Sequence, residues 1–123
     1  MSRFSKSEDG KTVTDTLTGL VWSQNTVASD VTFEDAVKAV EALGEGWRLP
    51  TVDELQTIVH RTKYDPAIDT EAFPDTESDW YWTSTPCAWR PESARWVVGF
   101  DGGGVGSGVI YDYACVRAVR GGQ

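Results

Sequence analysis

The spacing of hydrophobic positions changes along this chain, and each change predicts an element. Residues 11–15 and 18–22 are two short β-forming pieces on either side of Thr18-Gly19, the pattern of a hairpin. From Thr32 onward Phe33, Ala36, Val37, Val40 and Leu43 recur at the spacing of one helical face, with Thr32 as the N-cap and Gly44 and Gly46 as the stop. A second helix is predicted just after Pro50, where Thr51 and Glu54 form a capping box and Leu55, Ile58 and Val59 supply a buried stripe. Residues 63–79 lose any period and carry Asp65-Pro66, Phe73-Pro74 and several acids, so they read as a long loop that is either functional or mobile. Strands are then predicted over residues 80–85, 95–100, 105–110 and 114–120, with a hairpin turn at Asp101-Gly102-Gly103-Gly104. The fold class expected is α+β, with two helices in the first half and a mostly antiparallel sheet in the second.

Length fits a single domain over residues 1–123. No apolar run approaches the roughly 20 residues of a membrane span, so a soluble protein that does not enter a membrane is expected. The opening MSRFSKSEDG has neither the apolar stretch nor the cleavage site of a signal peptide, which predicts a cytoplasmic or virion-associated product. Cys87 and Cys115 are too few for a disulfide scaffold, and both a bond between them and two buried free thiols remain open. A formal charge of -8 disfavours nucleic acid, anionic membranes and sulfated polysaccharides, and favours a basic or neutral partner.

Several motifs follow one another in a recognisable order. Asp15-Thr16-Leu17-Thr18-Gly19-Leu20-Val21-Trp22 precedes Phe33-Glu34-Asp35-Ala36 and Gly46-Trp47-Arg48-Leu49-Pro50-Thr51-Val52-Asp53-Glu54-Leu55. Asp65-Pro66-Ala67-Ile68-Asp69, Phe73-Pro74, Tyr81-Trp82-Thr83-Ser84-Thr85, Trp96-Val97-Val98-Gly99-Phe100 and Val116-Arg117-Ala118-Val119-Arg120 complete the series. In this order the chain resembles the C-terminal-domain family of the Legionella collagen-like adhesin. The resemblance implies a C-type-lectin-like fold, distantly related to formylglycine-generating enzyme domains and to receptor-binding proteins of bacteriophages, and a role in binding. It also implies that the family's bridging cysteines correspond here to Val40 and Ala118, which keep the packing without oxidation. The family's sulfated ligands need clustered Lys and Arg, which a pI near 4.5 does not supply.

Among candidate residues, Trp47-Arg48-Leu49-Pro50 reads as architecture, with Arg48 pairing with a carboxylate or backbone carbonyls. Trp22, Trp47, Trp82 and Trp96 are assigned to the core. Trp89 and Arg90, in the loop Pro86-Cys87-Ala88-Trp89-Arg90-Pro91, join Arg95, Tyr111 and Tyr113 as the candidate ligand-binding patch, since aromatics and Arg anchor recognition surfaces. Asp65, Asp69, Glu71 and Asp75 lack the spacing of a calcium loop and read as solvated acids, so no metal or cofactor is expected. His60, placed on the second helix, has no neighbouring nucleophile, and Gly102, Gly103, Gly104, Gly106 and Gly108 read as a flexible hairpin rather than a phosphate loop. The expected function is a non-enzymatic, phage- or prophage-encoded recognition module that binds a protein or surface glycan through its loops. The alternatives are an oligomeric virion or assembly component, a homotrimer among the forms considered, and an enzyme of the formylglycine-generating type, which requires a reactive thiol.

Overall fold

The structure is a computed structural model that describes residues 3–121. The predicted hairpin forms as β2 (Thr12–Asp15) and β3 (Leu20–Ser23), antiparallel with Val13 opposite Trp22. A strand not expected from the sequence, β1 (Phe4–Lys6), extends it on one side, and β9 (Val119–Gly121) pairs with β3 on the other. The second sheet has the order β4-β8-β5-β6-β7 and comprises β4 (Ala28–Val31), β8 (Ala114–Val116), β5 (Trp80–Pro86), β6 (Ala94–Gly99) and β7 (Val105–Val109). All its pairs are antiparallel except β5 with β8. The α+β class and the mostly antiparallel pairing agree with expectation. The sheet content is not confined to the second half, because β1 to β4 precede both helices.

The helices start where their caps predict. Thr32 caps α1 (Phe33–Glu41) through its side chain, and Thr51 and Glu54 form the full capping box of α2 (Val52–Gln56). Both end earlier than the apolar spacing suggested. Leu43 lies beyond α1 and is substantially exposed, while His60 lies outside α2, its Nδ1 in contact with the Thr62 hydroxyl. The largest correction concerns residues 114–120, predicted as one strand. The chain leaves one sheet at Val116 and joins the other at Val119, so six β-forming residues serve two sheets.

Strand alternation gives the larger sheet two covered faces. On one face Tyr81, Val98 and Cys115 pack against Val13, Leu20 and Trp22 of the smaller sheet, Leu55 of α2, and Ile68 and Phe73 of the long loop. On the other, Trp82, Val97, Ala114 and Val116 pack against Ala36 and Val40 of α1. Val40 and Ala118 share this second cluster. The long loop is fastened rather than solvated: Ala67, Ile68, Ala72 and Phe73 are buried, and Ala67 and Asp65 donate their N–H groups to the carbonyls of Phe100 and Asp101.

Two arginine forks tie distant segments. Arg48 pairs bidentately with Glu54 at 2.7 and 2.9 Å while Glu54 also accepts from the Thr51 N–H, which bears out the architectural reading of the Trp-Arg-Leu-Pro motif. Arg3 pairs likewise with the buried Asp15 at 2.8 and 2.7 Å. Burial acts to raise the Asp15 carboxyl, but the Arg3 hydrogen bonds, the Leu17 N–H and the Arg3 charge outweigh it and hold it below its ordinary value. The Arg48 hydrogen bond, aided by the Thr51 N–H, does the same for Glu54 against a smaller burial effect. Both carboxyls bind protons more weakly folded than unfolded, so their stabilisation is present above the unfolded pKa of about 4 and is lost as pH falls through the folded values. Melting temperature followed by circular dichroism is expected to drop below about pH 4, and to drop less steeply in Asp15→Asn. Equal slopes in the two proteins would remove Asp15 from the account.

Candidate functional site

The six tryptophans divide according to what covers their rings. Trp22 and Trp82 are fully buried, and Trp82 donates its indole N–H to the Val31 carbonyl at 2.9 Å and meets Phe33 edge-on. Trp47 is half-buried, with the Arg120 guanidinium 4.6 Å above it and itself 3.3 Å from Glu45. That contact matters because Trp47 lines a cleft of about 540 Å³ between Asp9, Thr26 and Arg120, where its ring already faces a cation of the chain itself. Trp96 is half-buried and meets Trp89 edge-on.

Trp80 differs from all of these. It begins β5, is 42% exposed, and no aromatic ring or cation among the described residues packs on it. Its indole lies against strand backbone on one side: a Cβ added at Gly99 would stand 3.1 Å from Trp80 Cζ3, and one at Gly106 3.1 Å from Cη2. Gly108 leaves the same room over Trp82, with a Cβ at 3.7 Å from that ring. Gly106 and Gly108 therefore do not belong to the hairpin turn. They form a side-chain-free lane on β7 into which the aromatics of β5 lean across β6, an arrangement that covers strand glycines with a neighbouring ring.

The outer side of this shelf forms a depression of about 370 Å³, lined by Trp80, Trp82, Val97, Ser107, Asp112 and Tyr113, among others. Tyr113, 65% exposed, arrives there because the short connector from β7 to β8 must cross β6 and β5, and so runs over the face of the sheet. That volume falls within the roughly 300–1,000 Å³ usual for small-ligand sites.

The five residues assigned to the binding patch do not form one surface. Tyr113 joins the Trp80 shelf, while Tyr111, in the same connector, is exposed without lining the depression. Arg95 projects to the shelf face but is held there, its guanidinium donating to the Pro91 and Ala94 carbonyls and lying 4.7 Å over Phe33. Trp89 is 60% exposed and packs on Trp96, which alternation along β6 places on the opposite face from Arg95 and Val97. Arg90 is exposed in the tight turn beside it. Trp80 was absent from the sequence-based patch. The signal that would have found it is Val105-Gly106-Ser107-Gly108-Val109, where alternate glycines on one strand face leave room for a large neighbour.

The acids of the long loop are engaged singly: Asp69 accepts from the N–H groups of Glu71 and Ala72, and Asp75 from Thr26. Glu77, Asp79 and Cys115 are the one group among the described residues whose ligand atoms lie within 4.8 Å of one another, and it combines two exposed carboxylates with a buried thiol. Cys87 and Cys115 are both free and buried. Burial, reinforced by the Glu77 and Asp79 charges, pushes the Cys115 thiol up to about 11, and burial raises Cys87 as well. Neither thiol is set up as a nucleophile. Iodoacetamide at neutral pH is expected to leave both unmodified in the native protein and to label both in denaturant, read by mass spectrometry; rapid native labelling would restore the enzyme reading.

No curated protein matches the chain in a sequence comparison. The sequence model of the Lcl C-terminal domain matches residues 11–120, nearly the whole chain and all but the first strand of the fold described above. The chain belongs to the Lcl C-terminal domain family.

Proposed function

We propose that this domain is a non-enzymatic recognition module, and that its recognition surface is the Trp80 shelf rather than the Trp89 loop. The observation that carries this reading is an exposed indole fixed on a glycine lane, with its outer face uncovered at the edge of a depression that Asp112, Ser107 and Tyr113 also line. A ring held in place before the ligand arrives loses little freedom on binding, which is how rigid aromatics become anchors. Membership in a family named for an adhesin domain supports a binding role, and two buried, protonated thiols give chemistry no starting point. A C-type-lectin-like fold is supported by early helices, a long fastened loop, and a late sheet whose chain returns to pair with the N-terminal hairpin.

The test is a solid-phase panel of immobilised glycans and purified matrix proteins probed with wild type, Trp80→Ala, Tyr113→Ala and Trp89→Ala. Binding to the panel members recognised by wild type is expected to weaken at least ~10-fold in Trp80→Ala and Tyr113→Ala and to persist in Trp89→Ala. The reverse pattern in folded proteins would return recognition to the loop.

A further inference from the structure

This inference rests on the recognition reading above and concerns what the shelf takes. We infer that the Trp80 depression binds a pyranose ring of a neutral glycan without a metal ion, the C–H face of the sugar on the open indole and its hydroxyls on the Asp112 carboxylate and the Tyr113 phenol.

Shape narrows the ligand first. Trp82 lines the depression but is fully buried, and its N–H is committed to the Val31 carbonyl, so it forms the floor and offers no wall. Trp80 and Tyr113 are the accessible rings, which makes an open shelf with one flanking aromatic. A quaternary ammonium is held best when several ring faces surround it. A flat ligand with an apolar face is what one broad, fixed ring accommodates. The C–H bonds of a pyranose ring present such a face, while its hydroxyls point outward around the rim.

Charge narrows it further. The depression is lined by one carboxylate, Asp112, and one phenol, Tyr113, with Ser107 contributing backbone because its side chain shares the Trp96 face, and with no Lys, Arg or His among its residues. A carboxylate accepts strong hydrogen bonds from sugar hydroxyls, and a tyrosine hydroxyl can donate or accept. Asp101 adds a second carboxylate nearby, close enough that a Cβ on Gly99 would lie 3.0 Å from its Oδ1. A sulfated or carboxylated sugar would meet these acids on a chain of charge -8, while Arg95 on this face is already engaged by the Pro91 and Ala94 carbonyls and the Phe33 ring. The same repulsion disfavours a nucleic acid, whose bases could otherwise stack on the indole. The size of the depression, about 370 Å³, suits one or two sugar rings.

The experiment is isothermal titration calorimetry in EDTA with cellohexaose, maltohexaose and chitohexaose as neutral probes, and with heparin and choline chloride as the anionic and cationic arms. At least one neutral hexasaccharide is expected to bind wild type, and Trp80→Ala and Asp112→Asn are each expected to weaken it at least ~10-fold. Trp80→Ala uncovers strand glycines and can lose the fold. Asp112→Asn and Tyr113→Ala alter only exposed connector side chains and keep the test intact. If heparin or choline binds in preference and loses affinity in the same variants, the neutral-glycan inference falls while the shelf remains the recognition surface. If a neutral sugar binds equally to wild type, Asp112→Asn and Tyr113→Ala, both the inference and the shelf fall. Absence of heat with all three neutral probes would overturn the inference.

Discussion

Arg117→Ala is expected to lower the unfolding free energy by about 3–5 kcal/mol, the largest single-residue effect in this domain. Arg117 is completely buried at the point where the chain passes from the larger sheet to the smaller. Its Nη1 donates to the carbonyls of Ser23 and Gln24 at 2.7 and 2.8 Å, and its Nη2 donates to the Thr76 hydroxyl at 2.8 Å. The guanidinium plane lies 4.8 Å over Phe73 and 5.8 Å over Tyr81. Asp75, at 3.9 Å and half exposed, is a distant counter-charge, so the side chain is held chiefly by neutral acceptors and ring faces. Truncation leaves those acceptors without donors in a water-poor interior, at about 1–3 kcal/mol for each buried group, and opens a cavity beside the rings. A domain of this size is stable by only about 5–15 kcal/mol, so the variant should unfold at a much lower urea midpoint. Arg117→Lys keeps the charge but cannot span Ser23, Gln24 and Thr76 together, and should recover only part of the loss. A change below about 1 kcal/mol in Arg117→Ala would show that the fork does not hold the two sheets together.

The second large effect separates binding from stability. Gly106→Val is expected to weaken ligand binding at least ~10-fold while changing unfolding free energy by less than about 1 kcal/mol. The added Cβ would stand 3.1 Å from Trp80 Cη2 and 3.3 Å from Cζ3, tighter than a settled contact, so the indole must shift to admit the valine and its methyl groups. Trp80 is 42% exposed and can tip outward, which spares the core. Valine favours a strand over glycine, which offsets the lost ring contact. Gly104→Ala, where an added Cβ meets nothing within 4 Å, is the control expected to preserve binding. Unfolding of Gly106→Val would mean that the glycine lane is needed for folding itself.

Local signals in the sequence predicted what local chemistry governs. Thr32, Thr51 and Glu54 announced both helix starts because a cap is a short-range hydrogen bond. The β2–β3 hairpin and the Asp101-Gly104 turn were readable for the same reason. What depends on distant partners was not. Phe4–Lys6 and Ala28–Val31 are too short and too polar to declare themselves, and they become strands because β2 and β8 present open edges to them. Residues 114–120 look like one strand because β propensity carries no information about which sheet a residue joins. The site was half legible. Tyr113 was named, but its partner Trp80 was not, since their meeting depends on a connector that crosses the sheet and on glycines one strand beyond Trp80's neighbour. Trp89 has the character of a recognition aromatic in a loop, yet its edge contact with Trp96 puts it on the other face.

The central claim is that recognition occurs at the Trp80 shelf, and the most direct test is to map the ligand by NMR. Titrating the tightest-binding hexasaccharide into ¹⁵N-labelled protein should shift the Trp80 indole N–H and the amides of Ser107, Asp112 and Tyr113, leaving the Trp89 indole and Arg90 amide in place. Shifts centred on Trp89 and Arg90 with Trp80 unmoved, or no shifts at saturating sugar, would contradict it.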